Sequence, residues 1–245
     1  METRVLIFDD AAALAEGAAR EVVRSTRNAV RRRGRCALAL AGGGTPRHLY
    51  QRLALPPHRG QIDWAKVQWF WGDERCVPPD DPSSNYRLAN EMLLSRVSMK
   101  KKAVHRIRGE LDPARAATLY EEEIRRTSGE RTPRFDLILL GMGFDGHTAS
   151  LFPDTPRLRD ERRLVVATRS PLPPASRVTF TLHLINAARK VVVLVQGAAK
   201  APVLARAVHG VAGDPAAPLP AALLRPARGS LLWFVDRAAA ARLVP

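Results

Sequence analysis

His147 is the side chain whose type and position best suit it for chemistry. It stands between Gly146 and Thr148 in the stretch Phe135 to Pro153, FDLILLGMGFDGHTASLFP. An imidazole exchanges protons near neutral pH. Gly141, Gly143 and Gly146 precede it, so the backbone can turn sharply and a ligand can come close to it. Two other loops bring complementary groups. Gly42-Gly43-Gly44-Thr45-Pro46 opens a helix, whose free N–H groups and positive dipole end suit a phosphate. Gly72-Asp73-Glu74-Arg75 offers a guanidinium able to grip an anion at two points and carboxylates able to orient a histidine. Lys200, near the start of a later helix, can reach the same place.

The elements around these loops must bring them together. Phe135 to Leu140 is apolar on both faces and too short for a helix, the pattern of a central strand in a parallel sheet. Cys36 to Leu40 and Val67 to Trp71 read the same way, and each runs into one of the other two loops. Arg4 to Phe8, Val104 to Ile107, Leu164 to Ala167, Arg177 to Leu182, Val191 to Val195 and Leu231 to Val235 read as further strands. Helices fall between them. Asp9 and Asp10 start one that Gly34 ends, Ser83 or Ser84 caps another, and Asp112-Pro113 starts a third. A Pro- and Ala-rich loop covers Gly213 to Pro220, and Asp236 caps a C-terminal helix. The expected fold is α/β: a doubly wound, mostly parallel, Rossmann-like three-layer sheet with helices on both faces, as one domain over residues 1–245. Ligands of such sheets bind beyond the carboxyl ends of the strands, where all three loops then lie.

Composition narrows the function. The chain has 245 residues and a net charge of +15, from 39 Lys and Arg against 24 Asp and Glu. Its arginines are spread along it, and Arg31-Arg32-Arg33 sit at a helix C-terminus, where the dipole favours cations. Neither that run nor Lys100-Lys101-Lys102 is interleaved with aromatics for base stacking, so nucleic acid is not an expected partner. Cys36 and Cys76 show no CxxC spacing and read as buried thiols of a reducing compartment. With no basic-then-apolar leader and no apolar run near ~20 residues, the expectation is a cytoplasmic protein without a membrane span. The remaining histidines lack metal-ligand spacing, GxSxG is absent, and the GxGxxG at Gly141 meets Pro153 too soon for a dinucleotide helix. No metal or cofactor is expected.

Four segments, LALAGGGTPRHLY, WGDERCVPPDDPSSNYRLA, FDLILLGMGFDGHTASLFPDTP and VTFTLHLINAARKVVVLVQGAAKAPVL, together resemble the 6-phosphogluconolactonase family in content and order. That family shares a superfamily with glucosamine-6-phosphate deaminases. The chain has Leu151-Phe152-Pro153 where a deaminase would show Asn-Glu-Pro, and Arg75 where it would show Tyr. The resemblance implies hydrolysis of 6-phospho-D-glucono-1,5-lactone in the oxidative pentose phosphate pathway, with a phosphorylated sugar lactone as the small-molecule partner. It implies His147 as the general base that activates water. Arg75 and Lys200 would hold the phosphate, and Gly42, Gly43 and Thr45 would line the pocket with Gly143. Asp73 or Asp145 can orient the imidazole; Asp73 is preferred because it sits at a strand end. Backbone N–H groups of the Gly141–Gly146 loop are expected to meet the oxyanion. Ala41 and Gly44 stand where the family commonly has serine, and Phe144 replaces a frequent proline.

Overall fold

Runs such as Cys36–Leu40 (CALAL) and Lys190–Val195 (KVVVLV) have almost no polar face, and β-branched or apolar residues of that kind are stable only when covered on both sides. In the computed structural model, which describes residues 2–130, 132–153, 155, 162–209 and 219–243, they lie inside a six-stranded sheet. Its strands are β1 (Glu2–Phe8), β2 (Cys36–Leu40), β3 (Val67–Trp71), β5 (Leu137–Gly141), β8 (Lys190–Val195) and β9 (Ser230–Asp236). They lie in the order β1-β9-β8-β5-β2-β3, and every pairing is parallel.

The helices follow local signals. Helix α1 (Ala11–Arg33) begins where Asp10 accepts a 2.8 Å bond from Ala13 N and ends at Gly34, at φ +72°. Ser84 caps α3 (Asn85–Met92), and Asp112 with Pro113 starts α4 (Pro113–Ser128). Helix α2 (Gly44–Leu53) starts directly after the glycine loop. Helices α5 (Leu182–Asn186) and α6 (Ala201–His209) flank β8 in the chain. Burial pushes the Cys36 thiol up to about 12 and the half-buried Cys76 up to about 11, so neither is a ready nucleophile.

Four expected elements come out differently. The strands near Leu164 and Arg177 exist, but β6 (Val165–Arg169) and β7 (Ser176–Phe180) join β4 (Asp73–Arg75) in a separate antiparallel sheet, order β4-β7-β6. Their polar members, Thr168, Arg169, Arg177 and Thr179, do not suit a strand buried between two helical layers. Leu182 begins α5 instead of ending a strand. Val104–Ile107 makes only one bridge, Val104 to Trp69. There His105 turns inward to Gln68 (2.9 Å) and Glu123 (2.6 Å) and stacks on Phe70, which ends the extension. The C-terminal helix after Asp236 is a short 3-10 turn, Ala239–Arg242. Most of the Gly213–Pro220 loop lies outside the described residues.

One buried carboxylate ties the small sheet to the helical layer. Glu121 on α4 accepts from the backbone N–H groups of Leu164 (2.8 Å) and Val165 (3.1 Å), and Arg125 (2.5 Å) and Arg163 (3.2 Å) pair with it. Those bonds hold its carboxyl below the usual range against the cost of burial. Glu121→Ala is expected to cost about 2–4 kcal/mol in urea unfolding, because it leaves two backbone donors at the start of β6 without an acceptor. The lowered carboxyl puts this contribution above the unfolded-state pKa, and it is lost as pH falls through the folded value. A pH-independent difference between wild type and variant across the acid range would refute the assignment.

Candidate functional site

The sheet order places a switch point between β2 and β5. From β2 the chain moves outward to β3, whereas β5, β8 and β9 are laid down on the other side. The loops leaving β2 and β5 therefore part from each other, and ligands of open parallel sheets bind in such a crevice. A cleft of about 270 Å³ opens there, lined among others by Gly42, Gly43, Asp73, Arg75, Gly143, His147 and Lys200. These residues, expected from the sequence, are brought together; Thr45 stands outside the lining.

The loop after β2 is sewn in place by Tyr50. Its hydroxyl donates to Ala41 O (2.6 Å) and accepts from Ala41 N (3.0 Å). Gly42 must lack a side chain, because a Cβ would lie 1.8 Å from Asn85 Oδ1. Gly43, at φ +101°, is the N-cap of α2 and lines the cleft, and no side chain caps this helix.

After β5 the chain closes a tight loop on itself. Gly143 N donates to His147 O (2.8 Å), Gly146 N to Gly143 O (3.2 Å), and Thr148 Oγ1 to Gly141 O (2.8 Å). Asp145 Oδ1 accepts from His147 N (3.0 Å) and meets His147 Nδ1 at 2.6 Å. With Nδ1 carrying the proton toward the carboxylate, Nε2 holds the lone pair. Nε2 has no hydrogen-bond partner among the described residues, and the ring rests on Phe152 at a centroid distance of 4.7 Å. The expectation that Asp73 orients the imidazole is thus corrected to Asp145. Asp73 instead accepts from Ser150 Oγ (2.6 Å) and Asn85 Nδ2 (3.3 Å). A carboxylate two residues away on the same turn reaches the ring more readily than one on another strand.

The loop's own bonds narrow the set of oxyanion donors expected from it. Three N–H groups of the Gly141–His147 loop, those of Gly143, Gly146 and His147, already bond within it. Among the described residues the N–H groups of Phe144 and Asp145 in the same loop carry no bond, and Phe144 lines the cleft.

Cations line the other walls. Lys200 sits in the 3-10 turn Ala198–Lys200, reached through Gly197 at φ +94°, whose N–H is held by the Asp236 carboxylate. Its Nζ donates to Met142 O and lies 4.3 Å from the Phe144 ring centre. Burial holds this ammonium below the usual lysine range, opposed by Asp145. On β4 the three charged residues divide their work. Asp73 turns to Ser150, and Glu74 is buried and accepts from Asn85 N (2.7 Å), Tyr86 N (2.8 Å) and Arg75 N (2.8 Å), anchoring α3. Arg75 reaches the cleft, with Nη1 donating to Ser83 O and a buried Nε lacking a partner. Directly opposite it in register is Arg177, buried and also with an unpartnered Nε. Burial and the neighbouring Arg75 hold the Arg177 guanidinium below its ordinary range.

Asn85, Ser150, Tyr50 and Arg177 are the site-supporting residues that the sequence reading does not single out, and Asp145 it ranks second to Asp73. Asp145 carried a usable signal: an Asp two residues before the histidine, followed by Gly, favours a turn in which its side chain bonds forward. Among the described residues no group of three or more His, Cys, Asp or Glu side chains is arranged to hold a metal ion. No helix among them is long and apolar enough to cross a membrane.

The chain is similar to known proteins over nearly its whole length. The family model described as glucosamine-6-phosphate isomerases/6-phosphogluconolactonase matches residues 9–233. A 6-phosphogluconolactonase of Mycobacterium tuberculosis is 39% identical over 253 residues, covering 99% of each chain. One of Synechocystis is 41% identical, covering 89% of this chain and 88% of its own. The solved 6-phosphogluconolactonase of Trypanosoma cruzi superposes with a TM-score of 0.87 at 28% identity, covering 100% of this chain and 99% of that one.

Gly143 sets a sharp test of the loop geometry. A Cβ there would fall 2.1 Å from His147 Nδ1 and 2.6 Å from Asp145 Oδ1. Both contacts are with side chains that can swing away, so Gly143→Ala should displace the imidazole without unfolding the protein. The hydrogen-bonded Nδ1 proton signal in NMR should vanish while Tm falls by no more than about 4 °C, equivalent to ~1 kcal/mol. A retained signal would show that the ring does not depend on this glycine.

Proposed function

This chain belongs to the family of glucosamine-6-phosphate isomerases and 6-phosphogluconolactonases, and on that premise we propose that it hydrolyses 6-phospho-D-glucono-1,5-lactone to 6-phosphogluconate. It is a lactonase-type enzyme. The observation that carries the residue-level reading is the imidazole of His147: Nδ1 is held by Asp145, Nε2 is open, and the ring shares one cleft with Arg75 and Lys200.

The chemistry follows from those positions. Nε2 takes a proton from water as the oxygen attacks the lactone carbonyl carbon, and negative charge moves onto the carbonyl oxygen. The unbonded N–H groups of the loop after β5, that of Phe144 first among them, are the fixed donors offered to it. The tetrahedral centre then collapses, the bond to the ring oxygen breaks, and the imidazolium returns its proton to that oxygen. Asp145 keeps the ring in the required tautomer throughout and stabilises the imidazolium. General-base help of this kind is worth about 10²–10⁴-fold in rate.

Arg75 and Lys200 hold the 6-phosphate, and Gly42, Gly43 and Gly143 let the sugar approach the backbone. Asp73 supports rather than touches the reacting atoms, since its carboxylate ties Ser150 to Asn85 beneath the cleft. Thr45, outside the lining, contributes through its place in the first turn of α2.

Lactone loss timed against the spontaneous reaction tests the reading. Wild type should exceed the background, with no ammonia released from glucosamine 6-phosphate. His147→Ala should lose about 10²–10⁴-fold in kcat while its affinity for 6-phosphogluconate stays within about twofold. Unchanged turnover would remove the base assignment. A second test uses the depressed Lys200 ammonium. Because burial lowers its pKa, the charge is lost at a lower pH than for an ordinary lysine, and 6-phosphogluconate binding should weaken there. Lys200→Arg, which stays charged, should hold that binding to higher pH. Identical alkaline profiles for the two proteins would take Lys200 out of the phosphate site.

A further inference from the structure

The amino ends of the sheet strands, at the pole away from the cleft, gather a second set of cations. Six basic side chains from four separate stretches surround one open depression of about 320 Å³. Arg32 and Arg33 end α1, Arg134 precedes β5, Arg189 and Lys190 lead into β8, and Arg228 precedes β9. Carboxylates answer only some of them. Glu21 takes Lys190 Nζ at 2.6 Å, and Asp136 pairs with Arg33 at 2.6 Å while accepting from Ala37 N at 2.9 Å. Glu130 also acts on Arg189 and Glu21 is shared with Arg24, so six cations meet no more than three carboxylates and the depression keeps a positive excess.

Several of these heads are held in place. Arg134 is fixed by Nε to Ala187 O (3.1 Å) and Nη2 to Arg228 O (2.9 Å). Arg189 Nε lies 3.5 Å from Asp136, buried and without a hydrogen bond. Burial and the neighbouring Arg33 and Arg134 hold the Arg189 guanidinium below its ordinary range, which an arriving anion would relieve. Strand β5 joins the two poles, and its five residues put them roughly 17 Å apart at ~3.3 Å per residue.

We propose that this depression binds a compact polyphosphate group, free or carried by a nucleotide. A guanidinium is a planar fork of N–H donors that can meet two phosphate oxygens at once, five of them line the depression, and Ser25 and Asn28 add neutral polar lining. The lining holds no aromatic side chain on which a base could stack, so the phosphates are the recognised part.

The test is calorimetric titration of the full chain with inorganic tripolyphosphate. Arg32 and Arg228 are exposed, and among the described residues no side-chain hydrogen bond or ion pair of theirs supports the fold, so Arg32→Ser with Arg228→Ser should fold normally. Wild type should show one saturable site per chain. The double variant should weaken it at least tenfold with lactone hydrolysis unchanged, and Arg75→Ala should leave it intact. ATP binding as tightly as tripolyphosphate assigns the site to a nucleotide's phosphate chain; weaker ATP assigns it to free polyphosphate. The proposal is overturned by absence of a saturable site, by binding that is lost in Arg75→Ala but kept in the double variant, or by a short DNA duplex binding more tightly than tripolyphosphate. Because the readout is binding at the far pole, these outcomes are separate from those that test hydrolysis.

Discussion

The 2.6 Å hydrogen bond that Nδ1 of His147 donates to Asp145 decides what the cleft can do, because it selects which ring nitrogen is left as a base. Everything around it serves to keep that bond in one geometry. Gly143 has no Cβ because the ring occupies the space, and Gly146 sits at φ +80° so that the chain can double back. The bond from Gly143 N to His147 O closes the loop, and the buried strand β5 fixes where the loop begins. A histidine on an untied loop would sample both tautomers and many rotamers. Here the backbone has already met that ordering cost during folding, so little is left to the moment of substrate binding.

The same fold solves an electrostatic problem. Arg75, Arg177 and Lys200 gather near one cleft, and burial disfavours charge on Arg177 and Lys200 in particular. Carboxylates nearby are used for structure instead of for pairing with them. Asp73 bonds Ser150 and Asn85, Glu74 anchors the start of α3, and Asp145 serves the imidazole. Cations whose nearest acids are engaged elsewhere remain available to an anionic ligand. A direct ion pair to Arg75 or Lys200 would have to be broken before a phosphate could bind.

Sequence pattern made the parallel sheet legible because its strands are apolar on both faces: Cys36–Leu40 and Val67–Trp71 are found with the boundaries the pattern predicts. The caps at Asp10, Gly34, Ser84 and Asp112 were legible for the same local reason. The small antiparallel sheet was not, since Asp73–Arg75 is three charged residues and reads as a loop until Arg177–Thr179 supplies the partner strand. Val104–Ile107 has strand-like composition, but the pull of Gln68 and Glu123 on His105 overrides it. For the site, the strand-end rule found Arg75 and His147 yet pointed to Asp73 over Asp145. That rule locates residues in space and says nothing of which side chain a tight turn folds onto which ring.

The net charge of +15 also looks different once the chain is folded. Along the sequence, Arg31-Arg32-Arg33 is explained by the dipole at the end of α1, and isolated arginines at 134, 189 and 228 need no explanation at all. In space, strand order makes them neighbours. The amino ends of β5, β8 and β9 lie side by side, and α1 ends at the same pole. A helix dipole accounts for cations in one last turn; it does not account for three more arriving from other strands around a depression with so few acids. Dispersed composition would leave such charges scattered over the surface, where each is solvated separately. Their convergence around Asp136, with a guanidinium nitrogen buried and unbonded, is a cost that solvation alone does not offset and that an anion would.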